Sequence, residues 1–201
     1  RLATTQYAAQ MDDFLTIDRA PSTRGTRFLS VGSLVPLKGH ARLLGAFARV
    51  HAAHPGATLR IVGEGPERPR LLALARELRV AGAVTLQGAV PYAERAEAFR
   101  DADVLVHPTL TDGWGMVICE AMAAGLPVIS TPQAAAAIDL IDDGENGFVA
   151  PAQDLAGWML WHAGDSSRAA RQGAAARRLL QERWTPELVA ARLVESLDAM
   201  A

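Results

Sequence analysis

From Phe28 onward, short apolar runs alternate with longer stretches of amphipathic, helical spacing. The runs fall at Phe28 to Val31, Thr58 to Val62, Val84 to Leu86, Val104 to Val106, Pro127 to Ile129 and Phe148 to Val149, and helical patterns cover 39 to 53, 67 to 79, 92 to 101, 115 to 124 and 133 to 141. Such alternation predicts an α/β fold: a doubly wound, Rossmann-like parallel sheet with helices on both faces. In that class ligands sit beyond the carboxyl ends of the strands, so the loops that follow strands are where chemistry is expected. After Phe148 the pattern turns helical, at Asp154 to Ala163, Ser167 to Arg183 and a last helix opened by Thr185-Pro-Glu, where Thr caps and Pro takes the first turn. Residues 1–26, a weakly helical Ala-Thr-Thr-Gln-Tyr-Ala-Ala-Gln-Met stretch mixed with Asp, Pro, Ser and Gly, read as a linker or the remnant of a preceding domain; 27–201 read as one domain with C-terminal helices.

The stretch from His107 to Thr131 carries the densest pattern. A strand ends at His107-Pro108, a loop holds Asp112, Gly113, Trp114 and Gly115, a helix carries Glu120, and Gly125-Leu-Pro hands the chain to the next strand. Glycines let backbone approach a ligand, and the free amides at a helix start favour an anionic group such as phosphate. Asp112 precedes the helix while Glu120 lies in its second turn, which places them on the order of 10 Å apart. Two carboxylates so spaced suit the hydroxyls at opposite ends of a long ligand better than a shared proton. A sugar, a pyrophosphate and a ribose fit that layout.

The run Asp-Gly-Trp-Gly-Met-Val-Ile-Cys-Glu-Ala-Met-Ala-Ala-Gly-Leu-Pro-Val-Ile-Ser-Thr resembles the signature of the retaining, nucleotide-sugar-dependent glycosyltransferases of family four. In that signature a Glu precedes Gly-aromatic-Gly and a second Glu follows eight positions after the first; here the first acid is Asp112. The resemblance extends over about residues 28 to 200 and matches the C-terminal, donor-binding half of the two-domain GT-B architecture. It implies that Asp112 holds the hexose and Glu120 the ribose. It further implies that the backbone of Gly113, Trp114, Gly115, Met116 and Val117 lies near sugar and phosphate.

Two further loops resemble the family. Val31-Gly-Ser-Leu-Val-Pro-Leu-Lys-Gly-His is similar to its phosphate loop, with Ser33 where many members place Arg. It is not a Walker A loop, because Lys38 precedes Gly39 instead of following a glycine. Of twenty basic residues Lys38 is the single lysine, and the resemblance makes it, with Gly32 and Ser33, the contact for the pyrophosphate. Gly88, Ala89 and Val90 match a turn that lies beside the nucleobase, and UDP-, GDP- and ADP-linked donors all remain open. The turn Gly63-Glu-Gly-Pro-Glu reads first as a tight entry to a helix. His107 reads as a packed residue more readily than as a base, and Trp114 either as a stacking surface or as a plug in its loop. Asp139 stands where the family places a Glu, and Trp158, Trp161 and Trp184 read as packing stripes.

The totals narrow the remaining classes. At 201 residues, half of them hydrophobic, the chain can bury a substantial core. A net charge of -2 gives no electrostatic reason to expect nucleic acid. Cys119 is alone, as suits a reducing cytoplasm, and no run of apolar residues is long enough for a transmembrane segment. Asp101-Ala-Asp103 spells a metal-binding pair of other transferases but sits at the amino end of a strand, so neither metal nor cofactor is expected, the nucleotide sugar being a substrate. The chain begins with Arg1, which reads as a fragment. The expectation is therefore a cytoplasmic donor domain, with Lys38, Asp112 and Glu120 around one pocket, inactive by itself. The acceptor, and any peripheral membrane contact, would belong to an N-terminal domain of the same protein. A stand-alone nucleotide-sugar binding module and an epimerase-like protein are the alternatives.

Overall fold

The computed structural model describes residues 11–19, 22 and 24–198. Its helices are α1 (Asp12–Leu15), α2 (His40–Ala53), α3 (Arg68–Glu77), α4 (Glu97–Arg100), α5 (Met116–Ala123), α6 (Ala135–Leu140), α7 (Leu155–Ala163), α8 (Ser166–Arg183) and α9 (Pro186–Asp198). The strands are β1 (Arg27–Val31), β2 (Thr58–Val62), β3 (Val84–Gly88), β4 (Val104–His107), β5 (Val128–Ser130) and β6 (Gly147–Val149). All pairings are parallel, in the order β3-β2-β1-β4-β5-β6. The order reverses between β1 and β4, and the loops after those two strands flank the crevice so formed.

Alternate strand residues feed two separate cores, as the period of two requires. Leu29, Leu105 and Val128 join α5, α6 and the inner face of α8 on one side. Phe28, Leu59, Ile61, Val104, Val106 and Ile129 pack on α2, α3 and α7 on the other. β4 is buried along its whole length, so no solvent-facing alternation survives in it. The helix following β4 ends in a Schellman arrangement: Gly125 N donates to Met122 O and Leu126 N to Ala121 O, with Gly125 at φ +75.

The boundaries follow the sequence pattern closely except in the 92–101 stretch, which divides into a 3-10 turn at Tyr92–Glu94 and the short α4. Arg95 lies at the break. The segment preceding β1 is packed where it is described: Met11, Phe14 and Ile17 are buried in the α5 core, and Phe14 meets Phe99 edge-on at 5.3 Å. Arg19 donates to the carbonyls of Gly125 and Ala102. The weakly helical stretch before Met11 lies outside the described residues. Among the described residues no helix is long and apolar enough to cross a membrane.

Candidate functional site

Backbone packing among the loops at the carboxyl edge shapes the site first. Gly32 N donates to Val62 O, Leu34 N to Glu64 O, and Gly63 N to Gly88 O, so the loops after β1, β2 and β3 are laced together. Gly63 has φ +148, and a Cβ there would run into the carbonyl of Gly32; glycine is what permits the two loops to touch. This supports the turn reading of Gly63-Glu-Gly. Between the loops lies a cavity of about 370 Å³ lined by Gly32, Ser33, Glu64, Ala89, Val90 and Arg95, among others.

The loop after β4 is tied to the loop after β1. Leu110 N and the hydroxyl of Thr109 both donate to Leu37 O, at 2.7 and 3.2 Å. That brings Lys38 to Asp112: Nζ donates to Oδ2 at 2.6 Å, and both side chains are mostly buried. Nε2 of His107, at the end of β4, lies 3.1 Å from the same oxygen. The His107 hydrogen bond is the largest cause, and with Lys38 it outweighs the desolvation that would raise the Asp112 carboxyl, holding it down at about 2. Asp112 N donates to Gln133 O and Ala136 N to Trp114 O, so the segment entering α6 braces the loop from the far side. Lys38 also lies along Gly32, whose Cβ would stand 3.8 Å from Lys38 Cγ; this links the ion pair to the cavity.

Gly115, at φ +94, caps α5 without any side-chain cap; Ile118 N donates to Gly115 O, and the amides of Met116 and Val117 have no side-chain cap. One turn on, Glu120 is buried. Its Oε1 accepts from Arg95 at 2.5 Å, while Oε2 is buried with no hydrogen-bond partner. Desolvation raises its pKa and Arg95 opposes that. Cys119 beside it is a packed thiol, pushed up to about 11 chiefly by burial. It accepts from Trp114 Nε1 at 3.3 Å, and Trp114 itself leans on Trp184 with ring centroids 5.8 Å apart. Trp114 is therefore a half-buried plug.

The structure thus brings Gly32, Ser33, Ala89 and Val90 around one cavity, and Lys38 and Asp112 together beside it. Glu120 stands behind Arg95 instead of lining the same cavity, and Gly113 is exposed at the loop tip. Arg95 is the residue that the sequence reading missed. It carries no motif, and its partner lies 25 positions away. Asp103, by contrast, accepts from Arg27 through both backbone and guanidinium at the amino edge. Phe148 stacks on Trp158 at 3.8 Å and Arg168 covers Trp161, so these tryptophans serve packing.

Comparison with known proteins gives a consistent picture. The family described as "Glycosyl transferases group 1" matches residues 17–178. A D-inositol 3-phosphate glycosyltransferase of Segniliparus rotundus is 40% identical over 104 residues, half of this chain and 23% of that protein. A GDP-mannose-dependent alpha-(1-6)-phosphatidylinositol monomannoside mannosyltransferase of Mycolicibacterium smegmatis is 32% identical over 82% of this chain and 46% of its own length. The chain thus spans less than half the length of these curated relatives. Among solved structures, a TarM variant from S. aureus in complex with fondaparinux, alpha-GlcNAc-glycerol and UDP shares the fold, with TM-score 0.79, 21% identity, and coverage of 90% of this chain and 37% of that one.

Proposed function

The chain belongs to the glycosyl transferases of group 1, and on that premise we propose that it binds the donor, a nucleoside diphosphate sugar, for a retaining transferase whose acceptor is held by another domain. The observation that carries this reading is the pairing of Lys38 with Asp112 across the β1/β4 reversal, beside a cavity floored by Gly32 and Ser33. A cation, glycine-rich backbone and the uncapped start of α5 converge there, as a diphosphate requires.

In this scheme the diphosphate lies between Lys38 and the α5 amides, the base enters beside Ala89 and Val90, and the ribose lies against Arg95, with Glu120 behind it accepting the hydroxyls once the seated donor shifts that side chain. Asp112 takes hydroxyls of the transferred hexose. During transfer the bond from the anomeric carbon to the diphosphate oxygen breaks, the acceptor hydroxyl oxygen bonds to that carbon with retained configuration, and the acceptor's proton passes to the departing diphosphate. Negative charge builds on the departing diphosphate, and Lys38 with the fixed amides stabilises it where it develops. Orienting the donor is the other contribution of this chain. The acceptor domain and transfer by the whole protein are parts of the same proposal, supported by the names of the relatives and by their greater length.

Isothermal calorimetry with UDP, GDP and ADP, each free and sugar-linked, tests the reading. One base should bind with saturable heat in the wild-type chain, and with far less in Lys38→Ala. Equal binding by both proteins would remove Lys38 from the site and sink the assignment.

A further inference from the structure

Arg95 faces two ways. Its guanidinium donates to Oε1 of the buried Glu120, and the same side chain lines the cavity between the Gly32, Gly63 and Val90 loops. Arg95 lies between the 3-10 turn and α4, and from there its side chain crosses to α5. The salt bridge is asymmetric, with the arginine side chain 30% exposed and the glutamate 5%.

Glu120 needs that cation. A carboxylate that accepts from the vicinal hydroxyls of a ribose must be ionised, yet burial favours its neutral form. Arg95 is the charged group whose attraction and hydrogen bond oppose this. Other groups on the elements packed around α5 are engaged elsewhere or exposed. Arg177 of α8 donates to the carbonyls of Ala123 and Ala124, and His107 of β4 meets Asp112. Asp12 and Asp13 of α1 and Asp139 of α6 are exposed, and Cys119 on α5 itself stays a thiol.

We infer that Arg95 is a positioning residue for the donor site: it holds Glu120 as an anion and fixes Oε1, while Oε2, buried and without a partner in the ligand-free protein, meets a ribose hydroxyl once the donor moves the wall of the cavity that Arg95 forms. This deepens the proposed function and rests on Glu120 meeting the ribose. It also assigns a role to a loop that lies outside the signature run, so donor affinity depends on the 92–101 segment as well as on α5.

The experiment compares UDP, GDP and ADP with their 2′-deoxy counterparts by calorimetry over a pH series running from neutral into acid, because burial raises the Glu120 carboxyl. The wild-type chain prefers the ribonucleotide, and Glu120→Gln loses most of that preference, by roughly tenfold. In Arg95→Leu the preference persists at the neutral end and disappears on acidification, with a midpoint about one pH unit or more above that of the wild type. Arg95→Lys restores the wild-type profile. Arg95→Gln, which keeps a donor without the charge, should behave as the leucine variant does and carries the test if that variant does not fold. A wild-type midpoint in both neutral variants overturns the role of Arg95 and leaves Glu120 in place. If neither the wild type nor Glu120→Gln discriminates deoxyribose, the ribose reading falls, and the inference with it.

Discussion

Nζ of Lys38 and Oδ2 of Asp112 are 2.6 Å apart, joining the loops after β1 and β4 across the point where the sheet order reverses. Before a donor arrives the pair neutralises itself, so the cation is held in place and its rotamer is already chosen. A diphosphate then competes with Asp112 for one ammonium. Lys38→Ala should weaken nucleotide binding by roughly ten- to hundredfold, the range of a lost charged hydrogen bond. Calorimetry measures the loss, and an unchanged far-UV spectrum shows that the fold persists.

Asp112→Asn should separate the hexose from the nucleotide. If Asp112 holds sugar hydroxyls, the variant loses affinity for the sugar-linked donor more than for the free nucleoside diphosphate; equal losses would place Asp112 on the phosphate side. Removing the charge also destabilises the ligand-free protein, by about 1–2 kcal/mol for a partly buried pair. Because its folded-state pKa, about 2, lies below that of the unfolded chain, this contribution is complete above about pH 4 and vanishes as pH falls through about 2. Urea unfolding of both proteins as the pH is lowered should show the curves converging.

Gly63→Ala tests the close approach of the two loops. The added Cβ meets the Gly32 carbonyl at a positive φ, so the phosphate loop must shift. The expected cost is about 2 kcal/mol or more, and nucleotide affinity should fall although Gly63 contributes no side chain. A shift in melting temperature without loss of binding would confine Gly63 to a structural part.

The strand and helix positions were readable because parallel strands buried on both faces leave apolar runs, and the helices between them keep one apolar stripe. Asp112 stood out for its place beside Gly113, and Glu120 for its place in the helix eight positions on. The Lys38–Asp112 pair was within reach of the sequence too: the doubly wound order sets β1 beside β4, so the loops after them must meet. Arg95 was not, because it carries no motif and its partner Glu120 lies 25 positions away on another helix. Met11, Phe14 and Ile17 recur at three-residue spacing, a packing signal masked by the Pro, Ser and Gly that follow. Phe14→Ala should therefore cost about 2–4 kcal/mol, as for a truncated core phenylalanine, where a free linker would lose nothing; chemical denaturation distinguishes the two.

His40 opens α2 directly after the Lys38-Gly39 turn, is 3% exposed, and has Nδ1 buried without a hydrogen-bond partner. Burial, with the charges of His107 and Lys38 adding to it, pulls its pKa down to about 4. The unfolded chain takes up this proton near pH 6.5 while the folded one resists it, so between those two values the unfolded state binds more protons and stability falls as pH falls. The effect approaches about 3 kcal/mol below pH 4, and buried His162, also lowered mainly by desolvation, acts in the same direction. Replacing His40 with Gln should flatten the decline between about pH 7 and about pH 4 while leaving the share due to His162. Because His40 adjoins Lys38 in the chain, charging it would also disturb the turn that carries the phosphate-binding ammonium. Donor affinity should then weaken over the lower part of that window in the wild type, and less so in the variant. Parallel stability and affinity profiles that do not differ between the two proteins would show that His40 stays outside this coupling.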